Sequence, residues 1–227
     1  MHKINNYELL SGDVVSDAEL SGELGMSRTP VREAMMQLIN DGILQRTSTR
    51  VVVRPLTLED IYEILEIREA LEIASAGRIL RRDGLTCRER EQLCLIHAQL
   101  CRSVQEKQFD ENFSQDALFH RAIIEFGGNL RMLSISKMFD RQVQRLRFLT
   151  MVTPERYAGT IAEHQAILDA LCEADLEAVK TAVRRHMRAT AANFSDILQD
   201  PRWSRMAKGL RDLAGREGVP GRQDREN

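Results

Sequence analysis

The sequence predicts a mainly α protein in two parts: a small helix–turn–helix module closed by two short strands, then an all-α bundle of six or seven helices. Three observations predict this. Helix-start and helix-stop signals recur along the chain. Apolar residues keep helical spacing from Thr57 onward, with no alternating strand pattern. Pro55 separates this second stretch from a compact first one, which sets the boundaries at 1–55, 56–199 and an Arg- and Gly-rich tail over 200–227.

The elements follow in order. Ser16-Asp-Ala-Glu19 reads as a capping box, with a serine to accept the N3 amide and a glutamate to reach back. It opens a short helix with Leu20 and Leu24 inward, which Gly25 ends in the left-handed conformation. Thr29-Pro30 starts a second helix, where proline has no amide proton to lose. Val31, Met35, Leu38 and Ile39 form its apolar stripe, and Asp41-Gly42 closes it. Ile43–Arg46 and Arg50–Arg54 read as strands around the turn Thr47–Thr49.

Beyond Pro55, Thr57-Leu-Glu-Asp60 caps a helix carrying Ile61, Ile64, Leu65, Arg68 and Leu71. Thr86-Cys-Arg-Glu89 caps the next, running to about Lys107. Further helices are expected from about Asp110 to Phe126, from the Gly127-Gly128-Asn129 break to about Met151, from beyond Thr153-Pro154 to Cys172, and from Asp175 to Leu198. Trp203–Leu213 is compatible with a helix, and the chain past Gly215 with disorder.

Composition narrows the class. At 43% hydrophobic and 29% charged residues, the chain is an ordinary globular sequence. It has no apolar run long enough to span a membrane and no apolar core near its N-terminus for secretion, so a cytoplasmic location is expected. Net charge is −2, but the charges are segregated. Glu8 to Glu23 holds five acids and no base, whereas Arg28 to Arg54 holds five arginines against Glu33 and Asp41. A near-neutral chain can still offer one basic edge to phosphate.

Asp116, His120, His164 and His186 have the chemistry of one divalent-metal site. Asp116 and His120 are one helical turn apart on one face. His164 and His186 lie on later amphipathic segments and can close the site from facing helices. Three imidazoles and one carboxylate suit Zn, Ni, Mn or Fe. With an octahedral ion, two positions stay open for water or a ligand carboxylate. Cys94, His97 and Cys101 share a second helix face, with Cys87 seven residues back. Small core residues packed against a neighbouring helix are the expected reading there, over a thiolate site.

The string Ser27-Arg28-Thr29-Pro30-Val31-Arg32-Glu33-Ala34, continuing to Asp41-Gly42-Ile43-Leu44, resembles the winged helix-turn-helix of the GntR family of bacterial transcription regulators. The resemblance implies that residues 1–55 form a DNA-binding domain. It assigns Arg28 and Arg32 to base or backbone contacts, Ser27 and Thr29 to phosphates, and Arg46 and Arg50 to the wing. A bidentate arginine–guanine pair discriminates by roughly 1–3 kcal/mol. Two departures stand out: only Met1–Leu10 precede Ser11-Gly12, where the family has a full helix, and the wing lacks its usual glycine.

Residues from about Thr57 to Leu198 resemble the FCD effector domain of the FadR subgroup. Ile67-Arg68-Glu69-Ala70-Leu71-Glu72, Asp116-Ala-Leu-Phe119-His120, Gly128-Asn129, Glu163-His164 with Ile167-Leu168, and Asp175 to Ala178 with His186 carry that resemblance. It fills every metal position of the metal-binding members and places Arg68 toward the effector cavity. Arg145 and Arg147 are further cations for an anionic effector, although two residues apart only one faces inward. Asn193, at i+7 from His186, adds a hydrogen-bonding group. Together these features imply a homodimeric regulator, a repressor by expectation, that binds a palindromic double-stranded DNA operator and answers to a small carboxylate beside a divalent metal. Two alternatives stay open: a regulator in which the metal alone signals or is structural, and a metalloenzyme, for which no general base is recognisable near the ligands.

Overall fold

The computed structural model describes residues 2–5, 8–143 and 156–200. The expected end of a helix near Met151, the segment Trp203–Leu213, the tail past Gly215, and Arg145 and Arg147 lie outside the described residues. Two compact units are present, one built on the residues up to Leu56 and one on Thr57–Asp196.

The first unit contains helices α1 (His2–Asn5), α2 (Asp17–Leu24) and α3 (Arg28–Asn40) and strands β1 (Leu44–Arg46) and β2 (Val51–Val53). Ser16 caps α2 by accepting from the Glu19 amide at 3.3 Å. No return bond from the Glu19 carboxylate is made among the described residues, so half of the expected capping box forms. Gly25 takes φ 60 and ends α2 as expected. Leu24 departs from expectation: it is 60% exposed, because the helix ends there and the core is reached by Leu20 instead. Val31 and Met35 of α3 pack with Ile4, Val15, Ile43, Leu44 and Val53 in the core of this unit.

Strands β1 and β2 pair antiparallel, with Leu44 opposite Val53. Val14 bridges Val52 from the other side, and the Val15 amide donates to the Val51 carbonyl at 2.8 Å. The sequence reading had no strand there. The glycine-free wing closes through Thr47, whose hydroxyl donates to the Arg50 carbonyl at 3.0 Å and accepts from the Arg50 amide at 3.2 Å. No residue of this turn has positive φ, so the turn has no need of glycine.

The second unit is an all-α bundle: α4 (Leu58–Leu80), α5 (Cys87–Gln105), α6 (Phe109–Phe126), α7 (Leu130–Val143), α8 (Arg156–Cys172) and α9 (Leu176–Gln199). Complete capping boxes start α4, from Thr57 and Asp60, and α5, from Thr86 and Glu89. Helix α6 packs against α4, α5 and α7, and α5 also packs against α8. Phe119, Ile123 and Ile124 of α6, Ile61 and Ile79 of α4, Leu93 and Leu100 of α5, and Ile167 and Leu171 of α8 are all buried in the bundle. Burying each such side chain contributes about 1.5–3 kcal/mol.

Gly127 lets α6 end hard against α4. A Cβ at that position would lie 2.7 Å from the Ser75 Cβ. Arg78 locks the contact by donating Nε to the Gly127 carbonyl at 2.6 Å. The cysteine expectation is corrected: Cys87 and Cys94 are exposed and Cys101 is half-buried. The α5 face that packs inward is that of Leu93, Ile96, His97 and Leu100, and His97 Nε2 lies 3.2 Å from the Ile161 carbonyl. Among the described residues, no helix is long and apolar enough to cross a membrane.

Candidate metal centre and nucleic-acid interface

Helix α6 carries Asp116 and His120 on one face. Helix α8 brings His164, and α9 brings His186. One ligand atom from each of these four residues lies within 4.8 Å of all the others. His120 Nε2 and His164 Nε2 are 3.0 Å apart, and Asp116 Oδ1 lies 3.3 Å from His164 Nε2 and 3.8 Å from His120 Nε2. The three rings are buried, and Asp116 is partly open. Phe119 stacks on His164 with centroids 4.6 Å apart, which fixes the plane of that ring.

Two carboxylates behind the rings set their tautomers. Glu72 lies 2.8 Å from His120 Nδ1, and Glu163 lies 2.9 Å from His186 Nδ1. A hydrogen bond donated from Nδ1–H to each carboxylate leaves the Nε2 lone pairs of His120 and His186 free to ligate. His164 has no such partner, for its Nδ1 is buried and unpaired. Burial, followed by the Arg68 charge for His120 and the His186 charge for His164, holds both pKa values well below the usual 6.5. Both rings are therefore neutral, and the His120–Glu72 contact is a hydrogen bond rather than an ion pair. Imidazole nitrogens from three helices' histidines and one carboxylate are the donor types that fit a divalent ion of the zinc or nickel type.

Glu72 is fully buried, and burial pushes its carboxyl up to about 7 against the opposing pull of Arg68 and His186. For Glu163 burial also acts upward, but hydrogen bonds from His186 and Arg156 outweigh it and the net direction is down. Arg68 donates Nε to Glu72 at 3.2 Å, and its Nη2 lies 3.9 Å from Asp116.

A cavity of about 70 Å³ opens beside the cluster, and Asp116 and His186 form part of its wall. Arg68 and Asn193 line it, as do Asn112 and Arg156. Arg145 and Arg147 lie outside the described residues. Glu72, Glu163 and Arg156 were not among the sequence-derived candidates. The signals that could have found them were local: Glu72 is one turn beyond Arg68, Glu163 adjoins His164, and Arg156 is seven residues before Glu163.

In the first unit, Ser27 is the N-cap of α3 and its side chain makes no capping bond. Arg28, Thr29 and Arg32 follow in the first five residues of α3, all three exposed. Arg28 Nη2 lies 2.7 Å from Asp17 Oδ1, and Arg32 Nε lies 2.5 Å from Asp17 Oδ2. Arg46 ends β1 and donates to the Met36 sulfur at 3.4 Å, while Arg50 stands in the wing turn. A groove of about 670 Å³ separates α3 from the wing, with Asp17, Arg32, Arg46 and Arg50 on its walls.

The FCD domain family matches residues 63–189, and the family described as bacterial regulatory proteins, gntR family, matches residues 1–52. The chain belongs to the GntR family, in its FCD subgroup. Among relatives of this regulator, the HTH-type transcriptional repressor RspR of Escherichia coli K12 is 26% identical over 191 residues, covering 83% of this chain and 82% of that protein. The gluconate operon transcriptional repressor of Bacillus licheniformis is 29% identical over 190 residues, covering 82% and 75%. The solved structure of McbR/YncC from E. coli superposes with a TM-score of 0.69 at 20% identity, covering 86% of this chain and 93% of that one. That likeness concerns the fold.

Proposed function

We propose that this GntR-family transcriptional regulator is a homodimeric, cytoplasmic repressor whose hold on a palindromic operator is set by a small carboxylate bound beside a divalent metal. One observation carries the reading. The ligand atoms of Asp116, His120, His164 and His186 converge at the wall of a cavity that also presents Arg68 and Asn193. Repressors among the relatives support the direction of control.

Asp116, His120, His164 and His186 are the residues that would hold the ion, which when bound supplies a Lewis-acidic position for an effector oxygen. Glu72 and Glu163 accept hydrogen bonds from the Nδ1–H groups and so orient His120 and His186. Arg68 offers the cavity a guanidinium suited to a carboxylate, and Asn193 a neutral hydrogen-bonding group. Helices α4, α6, α8 and α9 all contribute to this site, so an effector bound there ties four elements of the bundle together. It changes DNA binding only to the extent that it prefers one arrangement of the dimer over the other.

The test begins with duplexes selected from a random pool by the intact protein. Binding of the selected duplex is then measured with added metal, with chelator, and with a library of small carboxylates. The reading expects one class of carboxylate to release the duplex, and only when metal is present. Release by metal alone would replace the metabolite sensor with a metal sensor, and turnover of a bound acid would favour an enzyme.

A further inference from the structure

We propose that Asp17 is the positioning residue for base reading by α3, holding the guanidinium groups of Arg28 and Arg32 in one fixed arrangement before DNA arrives. The proposal rests on the reading of α3 as the DNA-contacting helix. Arg28 and Arg32 are one turn apart on the same face of α3, and Asp17 stands across from them at the start of α2. Each oxygen of the one carboxylate takes one arginine, Oδ1 that of Arg28 and Oδ2 that of Arg32. The Asp17 side chain is 19% exposed, while those of Arg28 and Arg32 are 55% and 64% exposed. The anchor is thus sheltered and the reading groups face solvent.

A carboxylate beside the phosphates of a duplex has the wrong sign for affinity, since binding is dominated by neutralising phosphate charge. Helix-dipole stabilisation does not require Asp17 to reach the arginines, because Glu19 supplies a second acid in the same first turn. What Asp17 adds is geometry. A free arginine side chain samples many rotamers and finds phosphates anywhere, whereas a guanine edge needs a planar fork at one place. Arg32 is held through Nε, so neither of its Nη groups is committed among the described residues, and that pair is the edge that can address guanine O6 and N7. Two hydrogen bonds from the arginines hold the Asp17 carboxyl down to about 2, so the clamp is ionised at every working pH. Asp17 therefore lowers non-specific affinity and raises discrimination.

The experiment uses the full chain and two duplexes, one selected from a random pool by the wild-type protein and one scrambled, each titrated over a series of salt concentrations. For Asp17→Asn the selected-over-scrambled affinity ratio should fall about tenfold or more, the scale of one bidentate guanine contact. Scrambled-duplex binding should tighten, with a salt dependence steeper by about 1 in log–log slope as a freed arginine finds phosphate. Glu19→Gln should leave the ratio unchanged. In an Arg32→Gln background, Asp17→Asn should cause little further loss of discrimination. The proposal is overturned if Asp17→Asn tightens both duplexes by one common factor, which makes Asp17 a repelling charge only, or if it changes neither. Asp17→Glu, which keeps the charge and displaces the carboxylate, serves if the asparagine variant does not fold by circular dichroism, and the same fall in ratio is required of it. Failure of the wild-type protein to select any duplex would instead strike the DNA-binding reading.

Discussion

Replacing Glu72 by glutamine should make the metal-free protein more stable and its metal site weaker. Glu72 is wholly buried between His120 Nδ1, at 2.8 Å, and Arg68 Nε, at 3.2 Å. Its carboxyl rises from 4.5 to about 7 because burial outweighs attraction to Arg68. A carboxyl whose folded pKa lies above its unfolded value contributes stability that is complete below the unfolded pKa. That stability is lost as pH rises through the folded one. Each pH unit in that window is worth about 1.4 kcal/mol, so ionised Glu72 costs the metal-free protein about 3 kcal/mol by about pH 8. Glutamine keeps an acceptor for His120 and carries no charge. In chelator, Glu72→Gln should melt roughly 6–12 °C above wild type near pH 8 and level with it near pH 4. Loss of a carboxylate that orients a ligand imidazole should meanwhile weaken metal binding about 10–100-fold, read by competition with a chelating dye. A variant less stable than wild type near pH 8 in chelator would show that the Arg68 ion pair outweighs burial. Unchanged metal affinity would show that Glu72 orients nothing.

Other perturbations separate the two halves of the molecule. His164→Ala should abolish metal retention and the response to carboxylate while leaving selected-duplex binding intact, and Arg32→Ala should do the reverse; loss of both properties in either variant contradicts the division. Gly127→Ala places a Cβ 2.7 Å from the Ser75 Cβ and 2.9 Å from its Cα. It should cost about 1–3 kcal/mol in a thermal or urea melt, and an unchanged midpoint would deny the close approach of α6 to α4. His120 and His164 have folded pKa values below the unfolded one, so their contribution is present above about pH 6.5 and lost as pH falls. Chelator-treated Glu72→Gln protein, free of the opposing Glu72 slope, should therefore lose stability steadily below about pH 6.5. A flat profile would mean that these rings titrate as they do in the unfolded chain.

What the sequence made legible was what local spacing controls. Thr57 with Asp60 and Thr86 with Glu89 announce helix starts because a cap and its reciprocal partner are three residues apart on one chain segment. Asp116 and His120 declare a shared face for the same reason. The convergence of His164 and His186 on that face follows from packing, and the chemistry of the donor set together with family resemblance anticipated it. The carboxylates behind the rings were not anticipated. Glu72 reaches His120 across 48 residues of chain and Glu163 reaches His186 across 23, and no periodicity encodes such pairs. Asp17 was equally hidden, since it drew no role of its own within the Ser16–Glu19 cap string and its bond to Arg32 crosses the turn between α2 and α3. The cysteines were misread because α5 is rotated so that Leu93, Ile96, His97 and Leu100 face inward, an orientation that Cys94 and Cys101 alone do not reveal.

Native mass spectrometry of the purified protein, beside His120→Ala, His164→Ala and His186→Ala, probes the shared site most directly. A single tightly held divalent ion per chain, missing or strongly depleted in all three variants, is the outcome expected from three imidazoles meeting Asp116. An ion retained at full occupancy in any two of them, or none taken up by the wild-type chain from added zinc, nickel, manganese or iron, would contradict it.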